Sequence, residues 1–190
     1  MHMTDTMADK MLHTAVRAVQ QGDEGFHQLL DQLPAAIYVT SAEGVITYYN
    51  RACIAFAGRT PLVGRDSWCV TWKLYTEDGR FLPHDQCPMA VAIRERRAIR
   101  GAEAVAERPD GTRRSFLPYP TPLLDAEGNL VGAVNMLIDV TDRKQAQALR
   151  AQAAKCRRLA TAISDQRTMN ILNSMAAEYE EQALRLERSN

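Results

Sequence analysis

The chain has 190 residues, 46% of them hydrophobic, and its 23 lysines and arginines balance its 23 aspartates and glutamates. This length suits one globular domain with helical extensions, and the apolar fraction is enough for a packed core. Without net charge there is no global electrostatic attraction to nucleic acid or to anionic membranes, so we expect neither as a partner.

The N-terminus and the cysteines favour a cytoplasmic location. The first ten residues, MHMTDTMADK, lack the apolar segment of a secretory signal. No stretch approaches the roughly 18 consecutive apolar residues of a membrane span. The four cysteines are few and irregularly spaced, which is typical of reduced thiols rather than of a secreted disulfide scaffold.

Apolar residues at helical spacing predict a helix over residues 5–21, which Gly22 ends. A second short helix is predicted over 23–32, because Asp23 suits an N-cap and Pro34 disfavours helix in the residue before it. The N-terminus is therefore expected to be helical.

Two segments that alternate apolar and polar residues, 36–41 and 45–50, predict a β-hairpin across a tight turn at Gly44. A short helix is predicted over 50–58. Residues 59–84 are the least regular part of the chain, and no element is predicted there.

A longer helix is predicted from Asp85, which suits an N-cap, with Pro88 in the first turn. Residues 101–108 and 113–124 predict two strands joined by a Pro-Asp-Gly-Thr turn. A last strand is predicted over 130–140.

Three prolines alternate within the strand predicted over 113–124: Pro118, Pro120 and Pro122. Their missing N–H groups would all lie on one side of the strand. This arrangement favours an edge or bulged stretch over a regular central strand.

From Thr141 the spacing of apolar residues becomes helical and predicts two long helices. The first has a heptad seam of mostly small residues: Ala146, Leu149, Ala153, Cys156, Ala160 and Ile163. Asp165 suits the N-cap of the second, whose apolar stripe is Met169, Leu172, Met175, Tyr179, Ala183 and Leu186. Such helices are marginal alone, so we expect them to pack on each other, on the preceding domain or across a dimer.

Several motifs resemble those of a known family. The segment 44–50, GVITYYN, resembles the second strand of PAS domains and the asparagine that begins their next helix, and Gly64 lies where the family often has glycine. The segment 139–141, Asp-Val-Thr, is similar to the signature that ends the last PAS strand and opens a signalling helix. Over about residues 24–144 the chain thus resembles a PAS sensor domain.

Other motifs are similar to PAS domains that precede histidine kinases in α-proteobacteria. They include Trp68-Cys69, the segment 83–88 with the sequence PHDQCP, and the segment 108–111 with the sequence RPDG. The chain has neither the phosphoacceptor histidine motif nor the ATP-site glycines of a kinase. The resemblance is therefore to the bacterial sensor domain without a kinase.

This resemblance implies an α+β fold of the PAS type. We expect a five-stranded antiparallel sheet with flanking short helices, together with an N-terminal helix and a C-terminal helical pair. The implied organisation is an N-terminal helix over 1–22, a PAS domain over 23–140 and signalling helices over 141–190.

PAS domains bind haem, flavins, small acids or nothing, so the cofactor is unknown. Light-sensing members carry an Asn-Cys-Arg-Phe-Leu motif facing the flavin, whereas residues 66–71 here read DSWCVT, and we do not expect a photoactive flavin. Haem stays open through His84 with Met89 as a second ligand, although a histidine that is simply exposed or hydrogen-bonded is favoured. A small organic ligand also stays open.

Three residues are candidates for a redox or metal site: Cys69, His84 and Cys87. The spacing of His84 and Cys87 offers two ligands at a loop-to-helix junction, and thiolate with imidazole suits zinc. A helix N-terminus would also lower the pKa of the Cys87 thiol. Three ligands are one short of a structural zinc site, so buried structural thiols are favoured over redox pairing and over metal binding.

Asn135 is the leading candidate for a ligand pocket. Alternation in the last strand places Ala133, Asn135 and Leu137 on one face, which analogy with other PAS domains turns inward. A buried amide without hydrogen-bond partners costs about 1–3 kcal/mol. The hydrogen-bond partners of the Asn135 amide are therefore expected to be Tyr49, Tyr119 or backbone groups, or else a ligand.

No catalytic set is visible, since the chain lacks nucleophile, GxGxxG and P-loop motifs, and we do not expect an enzyme. The resemblance implies a sensory protein that relays a ligand or redox signal through Asp139 and Thr141 to its C-terminal helices. A partner protein, such as a histidine kinase or a regulator, would read them, and the apolar N-terminal helix predicts a homodimer. Two alternatives stay open, a ligand-free docking or dimerisation module and a haem or metal sensor.

Overall fold

The computed structural model describes residue 28 and residues 30–188. The chain divides into two compact units between Asp139 and Val140. The helix predicted over 5–21 lies outside the described residues, and of the helix predicted over 23–32 only residues 28, 30 and 31 are described as helical.

From residue 32 to Asp139, the first unit contains eight strands and two short helices. The strands are β1 (Ala36–Ser41), β2 (Ile46–Tyr49), β3 (Lys73–Thr76), β4 (Phe81–Leu82), β5 (Ala104–Glu107), β6 (Arg113–Pro118), β7 (Thr121–Leu124) and β8 (Leu130–Asp139). The helices are α1 (Arg51–Ala57) and α2 (Pro88–Glu95), with a 3₁₀ turn over His84–Gln86. Helix α2 takes Cys87 as its N-cap rather than the predicted Asp85, because Asp85 lies within that turn.

The strands form one antiparallel sheet in the order β2-β1-β8-β6-β5-β3-β4, with β7 also paired to β8. Strand β8 is central, since β1 runs along one edge and β6 followed by β7 along the other. The predicted α+β fold with an antiparallel sheet and flanking helices is confirmed.

The sheet has eight strands rather than the predicted five. Two of them, β3 and β4, form a hairpin within residues 59–84, where no element was predicted. A third arises because the strand predicted over 113–124 is split at Tyr119 and Pro120 into β6 and β7. Proline has no N–H to donate to β8, which explains the break.

Buried apolar side chains form two clusters, one on each face of the sheet. The inner cluster, under α1 and α2, consists of Ala36, Tyr38, Ile46, Cys53, Phe56, Cys69, Val70, Leu74, Cys87, Met89, Ala90, Ile93, Ala104, Ala106, Phe116, Ala133 and Leu137. The outer cluster consists of Leu30, Ile37, Val39, Tyr119, Leu123, Val134 and Met136. Alternating residues of β1 and β8 therefore face opposite clusters, as strand geometry requires.

Asn50, which precedes α1, is fully buried, and its side chain forms three hydrogen bonds to the backbone. Its Oδ1 accepts from the Ile37 N–H at 2.9 Å, and its Nδ2 donates to the Leu30 and Ala35 carbonyls, each at 2.9 Å. A buried amide with three partners is well satisfied. The asparagine of the PAS-like motif thus joins β1 to the segment before it.

The β1–β2 turn supports the loop that contains Trp68. Trp68 has a left-handed backbone with φ +68°, and its N–H donates to the Gly44 carbonyl at 2.7 Å. A Cβ added at Gly44 would overlap the Trp68 indole ring. Only glycine allows the ring to lie this close to the turn, and glycine also adopts the φ of +85° at position 44 without strain.

The second unit is an antiparallel hairpin of two helices, α3 (Thr141–Ala162) and α4 (Gln166–Arg188). The predicted pair of helices therefore packs on itself. Alanines spaced seven residues apart lie buried at the seam: Ala153, Ala160, Ala176 and Ala183. Such small side chains let the two helix axes approach closely.

Within the part of the chain that the structure describes, no helix combines the length and the apolar character needed to cross a membrane.

The Gly44 contact predicts an unusually costly glycine substitution. Gly79 has the same φ of +85° but nothing within 4 Å of its Cβ position, so Gly79→Ala should lower the free energy of unfolding by about 1–2 kcal/mol through backbone strain alone. Gly44→Ala should cost about 1–3 kcal/mol more, because the Trp68 ring must move. Urea denaturation of both variants measures the difference, and equal losses would contradict the proposed contact.

Candidate functional site

Asn135 lies at the centre of the first unit, with only 2% of its surface exposed. Its Oδ1 accepts from the Tyr119 backbone N–H at 2.9 Å, and its Nδ2 donates to the Tyr38 hydroxyl at 2.9 Å. The amide bridges the break between β6 and β7 on one side and strand β1 on the other. Internal groups thus bond both ends of its side chain.

Tyr38 extends this connection to the Trp68 loop. Its hydroxyl accepts from Asn135 and donates to the Trp68 carbonyl at 2.8 Å. Burial raises the pKa of Tyr38 well above its ordinary value, and the neighbouring Cys69 and Cys87 act in the same direction. The hydroxyl therefore remains protonated and able to donate.

Of the three residues predicted as a redox or metal site, Cys87 contacts the same carbonyl, whereas Cys69 and His84 both contact Thr71. The Cys87 Sγ donates to the Trp68 carbonyl at 3.9 Å. The Thr71 hydroxyl donates to the Cys69 Sγ at 3.2 Å and lies 3.4 Å from the His84 Nε2. Because a hydroxyl has one proton, His84 then donates from Nε2 to Thr71.

We call this connected set the inner polar network; its members are Tyr38, the Trp68 carbonyl, Cys69, Thr71, His84, Cys87 and Asn135. Two further side chains hold the loop that supplies Trp68. The Arg59 guanidinium donates to the Val70 carbonyl at 3.2 Å and pairs with Asp66 at 2.5 Å. Asp66 in turn accepts from the Leu62 N–H at 2.9 Å.

The sequence-based prediction of a lowered pKa at Cys87 is wrong. Burial raises the pKa of the Cys87 thiol to about 12, with a further increase from nearby Cys69. Burial also raises the pKa of Cys69, against the opposing bonds from Thr71. Loss of solvation at this site outweighs the favourable backbone N–H groups at the start of α2.

The arrangement does not suit a metal ion. The Thr71 hydroxyl lies between Cys69 and His84, and burial raises the pKa of the Cys69 and Cys87 thiols. Burial, followed by the charge of Arg59, lowers the pKa of His84. Within residues 28 and 30–188, no group of three or more His, Cys, Asp or Glu side chains is placed to hold a metal.

The remaining pocket candidates are divided between the two faces of the sheet. Ala133 and Leu137 belong to the inner cluster, and Tyr49 packs against it. The Tyr119 ring belongs to the outer cluster, where the Arg100 guanidinium lies 5.5 Å from the ring centroid. Tyr119 therefore contributes its backbone N–H, not its ring, to the surroundings of Asn135.

The predicted relay residues lie where β8 ends and α3 begins. Asp139 is the last residue of β8, and its carboxylate pairs with the Arg114 guanidinium of β6 at 3.4 Å. Thr141 is the first residue of α3. One residue, Val140, separates the central strand from the helical hairpin.

Sequence reasoning missed three members of the inner polar network: Tyr38, Trp68 and Thr71. Alternation in β1 indicated that Tyr38 shares a face with Ala36, but only the pairing of Tyr38 with Asn135 places the two side chains together. For the Trp68 carbonyl no sequence signal existed, because its direction depends on a left-handed backbone at a residue that rarely adopts one.

The raised thiol pKa values predict slow alkylation of the native protein. At about pH 8 a thiol with a pKa of about 12 is ionised to roughly one part in ten thousand. Iodoacetamide should therefore label Cys87 more than roughly 100-fold more slowly in the native than in the urea-unfolded protein, as measured by peptide mass spectrometry. Equal rates would instead favour a redox-responsive thiol.

Solved structures with similar folds include three that carry the name LOV or Light-Oxygen-Voltage. The chain is 20% identical to the LOV domain of the blue-light activated histidine kinase of Erythrobacter litoralis EL346, with a TM-score of 0.45, covering 58% of this chain and 99% of that one. For the LOV protein of Rhodobacter sphaeroides the identity is 11% and the TM-score 0.43, with 95% and 98% covered. For an RNA-binding Light-Oxygen-Voltage receptor the values are 18% and 0.44, and the match covers 61% of this chain but only 32% of that receptor.

No curated protein matches the chain at a significant level. A family model described as PAS fold matches residues 30–145, which is more than half of the chain. The match spans the whole sheet, both short helices and the first residues of α3. The chain therefore belongs to the PAS-fold family of sensory domains.

Proposed function

We propose that this chain is a signal-transduction module in which a small-ligand or redox input acts on the inner polar network and the α3–α4 hairpin is the output. The hydrogen-bonded position of Asn135 on the central strand carries this proposal. Asn135 is linked to the loop through Tyr38 and to the β6–β7 break through Tyr119. A change at either link alters the strand that leads into α3.

The proposed mechanism is a shift between two hydrogen-bonding arrangements. In the first, Nδ2 of Asn135 donates to Tyr38, whose hydroxyl donates to the Trp68 carbonyl. In the second, an input takes one of these partners, and the strained backbone at Trp68 relaxes. An input shifts the populations only as far as it binds the two arrangements with different free energies.

The type of input follows from the groups it must replace. The network is buried, and its thiols and tyrosine are kept protonated. A small uncharged molecule with a donor and an acceptor replaces such bonds without burying a charge, and buried charges are costly. Of the two inputs, the small molecule is therefore favoured over a redox change of the thiols.

The proposed output is read by another protein, such as a histidine kinase or a regulator, in the cytoplasm. We infer that the chain has no catalytic activity of its own and acts as a homodimer. The proposed organisation keeps an N-terminal helix over 1–22, a PAS domain over 23–140 and signalling helices over 141–190.

A second function, ligand-free docking, is favoured by one observation: internal groups already bond both ends of the Asn135 amide. The two functions differ in what the purified protein contains. Native mass spectrometry of protein from its own host should show mass above the polypeptide in the wild type and not in Asn135→Leu. A bare polypeptide mass in both would support docking.

The relay predicts that Asn135→Leu loosens α3. The substitution leaves the Tyr119 N–H and the Tyr38 hydroxyl without their amide partner, so amide hydrogen exchange in the first turns of α3 should accelerate several-fold. Met136→Leu is the matched control, because Met136 neighbours Asn135 on β8 but faces the outer cluster. Exchange in α3 that stays at the wild-type rate, while the sheet exchanges faster, would contradict the relay.

A further inference from the structure

The two sides of the α3–α4 hairpin differ in chemistry. On one side, Arg150 pairs with Glu187 at 2.8 Å and Arg157 pairs with Glu180 at 2.6 Å. These pairs lie seven residues apart on each helix, so they occupy equivalent positions in successive heptads. This side is closed by ion pairs within the hairpin itself.

The other side is an open groove with a volume of about 550 Å³. Glutamine and leucine side chains dominate this surface. One charged side chain, Arg185, also lines the groove, and it pairs with Glu181 of the same helix. The full lining is Gln145, Ala148, Leu149 and Gln152 from α3, and Gln182, Arg185 and Leu186 from α4.

The same side continues towards the turn of the hairpin as an apolar stripe. Leu159 lies seven residues after Gln152, and Met175 lies seven residues before Gln182, so heptad periodicity places both on the groove side. Their exposed fractions are 46% and 38%. One turn further, Ile163 is 36% exposed and Ile171 is 53% exposed. We call these four residues the apolar stripe.

Charged residues of both signs border this side. Lys155 lies between Gln152 and Leu159 along α3, and Glu178 lies between Met175 and Gln182 along α4; both are exposed. Arg185, seven residues after Glu178, pairs with Glu181 of its own helix. A two-fold axis that sets α3 of one chain against α4 of another brings Lys155 of each chain towards Glu178 of the other, so the surface is complementary to itself at these two positions.

We propose that the groove and the apolar stripe bind the same surface of a second copy of this chain, giving a four-helix bundle. An isologous contact places one surface against its own copy, so a surface with charges of a single sign would repel itself. Here the one charged side chain that lines the groove, Arg185, is paired with Glu181, and the borders carry both signs. Depletion of charged residues is also typical of interface centres.

This interface rests on the homodimer of the proposed function and does not depend on the role of Asn135. The proposed interface and the proposed relay through Asn135 can therefore be contradicted independently. Loss of the dimer in hairpin variants tests the interface, whereas hydrogen exchange in Asn135→Leu tests the relay.

The test uses the full chain with Leu159→Glu and Met175→Glu combined. Four carboxylates then meet at the proposed interface, and the dimer dissociation constant should rise roughly 30-fold or more, the loss typical of a central interface residue. Sedimentation velocity over a concentration series measures this constant, and circular dichroism confirms that the helices remain folded.

Leu184→Glu provides the matched control. Leu184 is also on α4 and 46% exposed, but it lies two positions from Gln182 in sequence and so points away from the groove side. This variant should dimerise as the wild type does. A monomeric wild type, a dimer that persists in the double variant, or equal losses in the control would each overturn the proposal.

A charge exchange tests the orientation of the two chains. Lys155→Glu and Glu178→Lys should each weaken the dimer, and their combination should restore it. If the combined variant is as weak as the two losses added together, α3 does not face α4 of the second chain and the proposed geometry is wrong.

Discussion

One carbonyl oxygen, that of Trp68, organises the interior of the PAS unit. The Tyr38 hydroxyl and the Cys87 thiol both donate to it, and it points inward because Trp68 has a left-handed backbone. Gly44 permits this conformation, since its missing side chain leaves room for the indole ring. The glycine in the turn and the asparagine on β8 thus belong to one connected arrangement.

The same arrangement holds the central strand of the sheet in place. The central strand β8 is held by Asn135 at the point where prolines interrupt its pairing with β6 and β7. The Tyr119 N–H donates there both to the Asn135 side chain and to the Met136 carbonyl, each at 2.9 Å. The side-chain amide therefore adds to the backbone bond that joins this break to β8.

Three of the cysteines pack within the inner cluster. Cys53, Cys69 and Cys87 are buried, and loss of solvation raises the pKa of each. Their thiols donate weak bonds or fill the inner cluster. In the hairpin, buried alanines allow the two helices to lie close together. One side of the hairpin carries two ion pairs between the helices, and the other carries the groove lined mostly by glutamine and leucine.

The sequence by itself determined the main strands, the residues that share one face of β8 and the two C-terminal helices, because alternation and heptad spacing are local patterns. The antiparallel PAS fold and the inward direction of that face were implied by the resemblance of its motifs to the family. Tertiary structure alone decided the partners of Asn135. Tyr38 lies 97 positions away, and its pairing with Asn135 depends on the register between β1 and β8, which neither strand specifies alone. The raised pKa of Cys87 was likewise decided by burial, which a position at a helix N-terminus does not reveal.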